Sequence, residues 1–408
     1  MPDRKTSARR RTSKASPRRP GTALARIPPF KLRRPPSRVA QGIGLIAGVA
    51  ALAAGGIAAG IELEHRIISK RLNTAPDDDE PFFSLRADGP PVLTPDGVVL
   101  HTEVDERADG VEDPDDLTLV FVHGYALSLD CWHFQRKHFR NPGATGEGQI
   151  RSVFYDQRSH GRSGRSDPEL CRVPQLAADL AQIMDEVVGD GPVVLIGHSM
   201  GGMTIMHLAQ SHPEWFSSRV HGVALFNTSA GEMADYSPIR GIPGRAFSRI
   251  AEPLMATLNR APSLVEKGRR AGSDIGYVVT RRMSYGSDVP VSYVQFMSDM
   301  LGETSLEVVA DYYPAFGELD EFAAFEVLST VETAVVGGED DMITPVNYTD
   351  RIVELLPGAD VRLLPDCGHM GIIEHAPIFN EVLDSLVERV RRNLRHGTSP
   401  AGAGGTAQ

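Results

Sequence analysis

The sequence of 408 residues predicts an α/β fold: a mostly parallel sheet with helices on both faces and a helical insertion beyond its middle. Three observations predict it. From about residue 82 onward, short β-branched runs alternate with longer stretches of helical periodicity. One interval between such runs, Phe226 to Thr333, is too long for a loop or a single crossover helix. A G-x-S-x-G pentapeptide stands between a strand pattern and a helix pattern.

In chain order, residues 1–38 carry thirteen Lys/Arg against one acidic residue and almost no apolar clustering, which predicts a basic disordered arm. Residues 39–61 are uncharged and long enough to cross a hydrocarbon layer of about 30 Å as a helix. A single-pass anchor is the expectation, with the basic arm in the cytoplasm and the folded part outside by the positive-inside rule. A cleaved signal peptide, with small residues such as Ala51-Leu52-Ala53, is the rival reading of the same stretch. Residues 62–81, with the run Asp77, Asp78, Asp79, Glu80, read as a solvated linker.

The folded body is expected in two parts, 82–231 and 331–396, around a helical cap at 232–330, with a flexible Gly/Ala-rich tail at 397–408. Val98 to Asp105 reads as an early antiparallel strand, since Val98, Leu100, Thr102 and Val104 alternate with polar neighbours. The runs 117–122, 153–155, 193–196, 220–226, 333–336 and 361–364 are more uniformly apolar, as strands covered on both faces must be. In the insertion, 251–264 and 291–300 read as helices, with breaks at Pro238, Gly241, Pro243 and Pro290.

Composition excludes some functions. Beyond the arm, 29 basic residues face 52 acidic ones, so the body lacks the positive surface a nucleic-acid binder needs. The three cysteines, Cys131, Cys171 and Cys367, have the spacing of neither a metal knuckle nor a disulfide framework.

The chemistry-bearing residues lie where strands end. In Gly197-His198-Ser199-Met200-Gly201 a tight strand-to-helix turn exposes the serine hydroxyl, and Gly197 and Gly201 are required because side chains there would strike neighbouring backbone. The helix that follows directs its unpaired N–H groups toward charge developing near that hydroxyl. The N–H of Met200 and that of Tyr125, in the turn His123-Gly124-Tyr125, are the expected oxyanion donors. An acid and then a histidine should follow, each after a later strand. Glu339, Asp340 and Asp341 compete for the first role; Asp341 is preferred because it lies beyond the turn at Gly338 and before the helix-starting Pro345, with Asp340 in reserve. His369, in the loop Pro365-Asp366-Cys367-Gly368-His369-Met370, is the expected general base. His198 and His375 are expected to pack or cap, and Cys131-Trp132 either to line an acyl pocket or to sit in the core.

These motifs together resemble the α/β-hydrolase superfamily over about residues 82 to 395. Asp156-Gln157-Arg158-Ser159-His160-Gly161-Arg162-Ser163 is similar to the family's D-x-R-x-x-G-x-S loop, which is structural there. The resemblance implies an eight-stranded sheet, a cap that controls acyl-group choice, and a Ser-His-Asp triad acting on a small-molecule or lipid-like ester without cofactor or metal. Ser199 argues against the epoxide hydrolases and haloalkane dehalogenases of the superfamily, which place an aspartate at the elbow. Acyl transfer, thioester cleavage and carbon–carbon bond hydrolysis are the alternatives that the fold leaves open, with a silent binding module behind them.

Overall fold

The computed structural model describes residues 80–107, 117–141, 150–233 and 273–397. The expected arm, the apolar stretch 39–61, the helix expected at 251–264 and nearly all of the linker and tail lie outside these residues. Among the described residues no helix is long and apolar enough to cross a membrane.

The apolar runs become strands close to their expected limits. They are β1 (Val92–Leu93), β2 (Val99–Leu100), β3 (Thr102–Asp105), β4 (Thr118–Val122), β5 (Arg151–Tyr155), β6 (Val193–His198), β7 (Val220–Phe226), β8 (Glu332–Gly338) and β9 (Asp360–Leu364). Seven of them form one sheet in the order β3-β5-β4-β6-β7-β8-β9, with β3 antiparallel to β5 and the other pairs parallel. Among the described residues the sheet thus has seven strands where eight were expected, because β1 and β2 form a separate two-stranded sheet.

The cause lies at His101, where one long strand was expected from Val98 to Asp105. The His101 N–H donates to Ser163 Oγ (2.8 Å) and its carbonyl accepts the Asp156 N–H (2.9 Å). The loop 156–163 thus takes the hydrogen bonds that a neighbouring strand would otherwise supply. Expected alternation fails in β3 as well: Glu103 and Asp105 are as buried as Thr102 and Val104. Arg136 bonds to both carboxylates, Arg140 to Asp105 and Arg162 to Glu103, so charge is matched where water is excluded.

Successive sheet residues feed two cores. On one face Val120, Leu195, Val223 and Val335 pack with α2 (Val173–Ile183) and α3 (Met200–Ser211). On the other, Phe121, Ile196, Ala224 and Val336 pack with α1 (His133–Phe139) and α10 (Ala376–His396). Trp132 is fully buried against Phe121, the core alternative of its two readings.

Within the expected cap, α4 (Ser273–Ser284), α5 (Val291–Glu303), α6 (Leu306–Gly317) and α7 (Ala324–Leu328) are helical, α5 beginning directly after Pro290 as its sequence signals. Gly231, just before the expected cap, pairs antiparallel with Asp320 near its far end, and the Glu321 N–H donates to the Ala230 carbonyl at 2.7 Å.

Candidate active site

Parallel strands place the segments that follow their C-terminal ends along one sheet edge, where ligands of open α/β sheets gather. Here those segments are His123–Tyr125 after β4, Ser199 after β6, Asn227–Thr228 after β7, Asp341 after β8 and His369 after β9.

Ser199 sits between β6 and α3 with φ +52° and ψ −118°, a backbone geometry L-residues rarely adopt. The two glycines answer to backbone, as expected. A Cβ on Gly201 would lie 2.0 Å from the Val122 carbonyl oxygen, and one on Gly197 would lie 2.6 Å from the Gly202 nitrogen. The elbow is therefore pressed against both the end of β4 and its own helix. Thr228 Oγ1 donates to the Ser199 carbonyl (2.6 Å), tying the nucleophile candidate to β7.

Of the three competing acids, Glu339 and Asp340 are exposed and Asp341 is buried. Asp341 Oδ2 lies 2.9 Å from His369 Nδ1, so the structure brings these two expected residues together. The other carboxylate oxygen accepts the N–H groups of Ile343 (2.7 Å) and Thr344 (2.8 Å), while Oδ2 also accepts from Thr344 Oγ1 and Asn227 Nδ2. Burial alone would push the Asp341 pKa up; the facing imidazole and these hydrogen bonds outweigh burial and hold it below the ordinary carboxylate value. With Nδ1 occupied by the carboxylate, Nε2 of His369 is the nitrogen left to meet a substrate or a hydroxyl.

His198 joins the serine side to the histidine side. Its Nε2 lies 2.9 Å from the His369 carbonyl oxygen and its ring 4.8 Å from that of His369. Burial, and then the neighbouring His369, push its pKa down to about 3, so it is neutral at physiological pH and its proton sits on Nε2. The expected packing role is met, and His375 bonds to the Asp366 carbonyl.

The expected oxyanion residues lie at the same edge. Met200 is the first residue of α3, so its N–H has no acceptor within the helix. Tyr125 follows Gly124, at which a Cβ would be 3.1 Å from Ser199 Cβ, so this turn runs directly against the serine. His123 locks the turn: Nδ1 donates to the Gly124 carbonyl (2.8 Å) and Nε2 accepts the Gln157 N–H (2.9 Å), while burial keeps it neutral with a pKa of about 3.

Asp156 and Arg158 are structural, as expected. Asp156 accepts the N–H groups of Leu129 and Arg162, and Arg158 is clamped between Asp179 and Asp96. Burial pushes the Cys367 thiol pKa up, which suits an inert core residue rather than a nucleophile. Cys367, Glu374 and His375 bring their ligand atoms within 4.8 Å of one another, but the Glu374 carboxylate already receives the N–H groups of Gly286, Ser287 and Gly368. A groove of about 410 Å³ lined in part by Asp88, Glu106, Arg151 and Glu186 opens at the opposite end of β5 and contains none of these residues.

Sequence reasoning did not reach Asn227, Thr228 or Thr344. For Asn227 and Thr228 the signal was polar residues directly after a mostly apolar strand, and polar strand ends are common; Thr344 lies six residues beyond its strand and gave no such signal.

A serine on a strained turn, a buried aspartate–histidine pair and a glycine turn against the serine all lie on one parallel edge, and residues 119–382 match the model of the alpha/beta hydrolase family. The chain belongs to that family. Among curated α/β-hydrolases it is 25% identical to a 2-hydroxy-6-oxononadienedioate/2-hydroxy-6-oxononatrienedioate hydrolase of Burkholderia vietnamiensis, over 72% of this chain and 93% of that protein. It is 26% identical to a lipase of Mycobacterium tuberculosis, over 61% of this chain and 85% of the lipase. Among solved structures, an esterase from Exiguobacterium antarcticum superposes with a TM-score of 0.57 at 18% identity, over 74% of this chain and all of that one. At that identity the superposition establishes the shared fold.

Proposed function

We propose that this α/β-hydrolase cleaves carboxylic esters through an acyl-enzyme. His369 Nε2 takes the Ser199 proton as Oγ attacks the ester carbonyl, and the N–H groups of Met200 and Tyr125 hold the oxyanion. The imidazolium then gives its proton to the departing alcohol oxygen. Water attacks the acyl-enzyme by the same route, releasing the acid and restoring the Ser199 hydroxyl, while Asp341 fixes the tautomer and balances the imidazolium charge. The observation that carries this reading is the 2.9 Å contact of Asp341 with His369 Nδ1, on the same sheet edge as a serine held at φ +52°.

A second reading, hydrolysis of a carbon–carbon bond beside a carbonyl, draws support from the Burkholderia relative, most of whose length the chain matches. It uses the same three residues, so substrate decides between them.

The test is a panel of p-nitrophenyl esters of rising chain length with the full chain and its Ser199→Ala variant. The wild type should turn over at least one ester, and the variant should lose on the order of 10⁴-fold or more in kcat. A fluorophosphonate should label the wild type at Ser199. A Ser199→Ala protein with the wild-type rate would refute the mechanism.

A further inference from the structure

We infer that Glu374 is a positioning residue for His369, fastening the histidine loop and the turn between α4 and α5 of the insertion into one unit; this rests on the role proposed for His369. Glu374 closes the short helix α9 (Gly371–Glu374), five residues beyond the histidine. Its Oε2 accepts the Gly368 N–H at 2.7 Å and the Gly286 N–H at 3.2 Å, and its Oε1 accepts the Ser287 N–H. Gly368 precedes His369 directly, whereas Gly286 and Ser287 belong to the turn between α4 and α5 of the insertion. On the other side of His369, the Met370 N–H donates to the Ser284 carbonyl (2.8 Å). Both peptide N–H groups flanking the histidine residue are thus gripped by the insertion or by the carboxylate that grips it.

The contact is backbone on backbone. A Cβ on Gly368 would lie 2.6 Å from the Gly286 nitrogen and 2.7 Å from the Ser284 oxygen, and one on Gly286 would lie 2.9 Å from the carbonyl carbons of Asp366 and Cys367. The sheet holds the carbonyl side of the same loop, through Asn227 Nδ2 on the Gly368 oxygen (3.2 Å) and His198 Nε2 on the His369 oxygen. His369 therefore hangs between the sheet and the insertion. A carboxylate can accept three N–H groups with two charged oxygens, while a glutamine in its place has one acceptor and turns two donors toward donors. Any displacement of the turn between α4 and α5 is passed to the imidazole that must meet Ser199.

The experiment compares the full chain as wild type, Ser199→Ala, Glu374→Ala and Glu374→Gln, reading p-nitrophenyl butyrate hydrolysis across pH and amide hydrogen exchange by mass spectrometry. In Glu374→Ala, kcat should fall about ten- to a hundredfold with KM changed less than about threefold, and the pH midpoint of kcat should move. Exchange at 286–287 and at 368–370 should accelerate together. Glu374→Gln should show the same pattern more weakly, and it carries the comparison if the alanine variant does not fold. A folded Glu374 variant with the wild-type kcat and pH midpoint, or faster exchange confined to 371–376, would overturn the inference. A wild type that hydrolyses no ester would instead sink the esterase reading, and the exchange data would then decide the fastening by themselves.

Discussion

At the scale of single residues, the orientation of Asp341 is imposed by its neighbours. One oxygen accepts two backbone N–H donors, while the other faces His369 Nδ1 and accepts from Thr344 Oγ1 and Asn227 Nδ2, so an amide at this position keeps its oxygen on the fixed backbone donors. In Asp341→Asn the carbonyl oxygen would stay with Ile343 and Thr344 and the NH₂ would face His369 Nδ1. That reverses the imidazole tautomer and places a proton on Nε2, where the serine proton must go. Asp341→Asn should lower kcat for ester hydrolysis by roughly 10⁴-fold, with a thermal midpoint within a few degrees of the wild type; steady-state kinetics and calorimetry check the two halves. The reading of Asp341 over Asp340 rests on a turn at Gly338, which is strand instead, and on Pro345, which does stand at the start of a helix. Asn227 and Thr344 were not legible in the sequence, because their importance lies in what they reach across the sheet edge, which spacing along the chain does not encode.

At the scale of elements, the strand–elbow–helix unit is held by contacts that leave no room for a methyl group. The Gly201 Cα faces the Val122 carbonyl so closely that an alanine can be relieved only by moving β4 or α3. Gly201→Ala should destabilise the fold by about 1–3 kcal/mol and, by shifting the serine and the His123–Tyr125 turn relative to one another, reduce ester hydrolysis about a hundredfold. Urea denaturation alongside the ester assay separates the two losses. Glycines also explain where element boundaries were misread. β8 continues past the expected limit at Val336 through Gly337 and Gly338, the latter read as a turn; Thr349 and the Cys367 backbone press against them and exclude any side chain. β6 likewise runs on through Gly197. The inner parallel strands were legible because burial on both faces demands continuous apolar runs, whereas the edge strand β9 is half exposed; the split at His101 was not legible, because its cause is a loop about sixty residues away.

At the scale of the molecule, buried ion pairs weld the loops around the sheet edge. Arg158, fully buried, joins Asp96 of the β1–β2 turn to Asp179 on α2. Its hydrogen bonds hold the Asp96 pKa down to about 2. An aspartate depressed in the folded state adds stability that is fully present above its ordinary pKa near 4 and is lost as pH falls toward 2. The wild type should therefore exceed Asp96→Asn in stability by a constant margin, no more than about 1 kcal/mol for a partly exposed pair, from pH 7 to pH 5. That margin should shrink steadily below pH 4; a margin independent of pH in thermal melts would contradict the account.

The bridge between Gly231 and Asp320 has a consequence on a longer timescale. Because Gly231 and Asp320 meet there, the length of chain between them can change over generations without tugging β7 and β8 out of register. Descent can then try new segments over an unchanged sheet edge, provided that the stretches held by Glu374, Tyr125, Ala126 and Arg158 keep their shape.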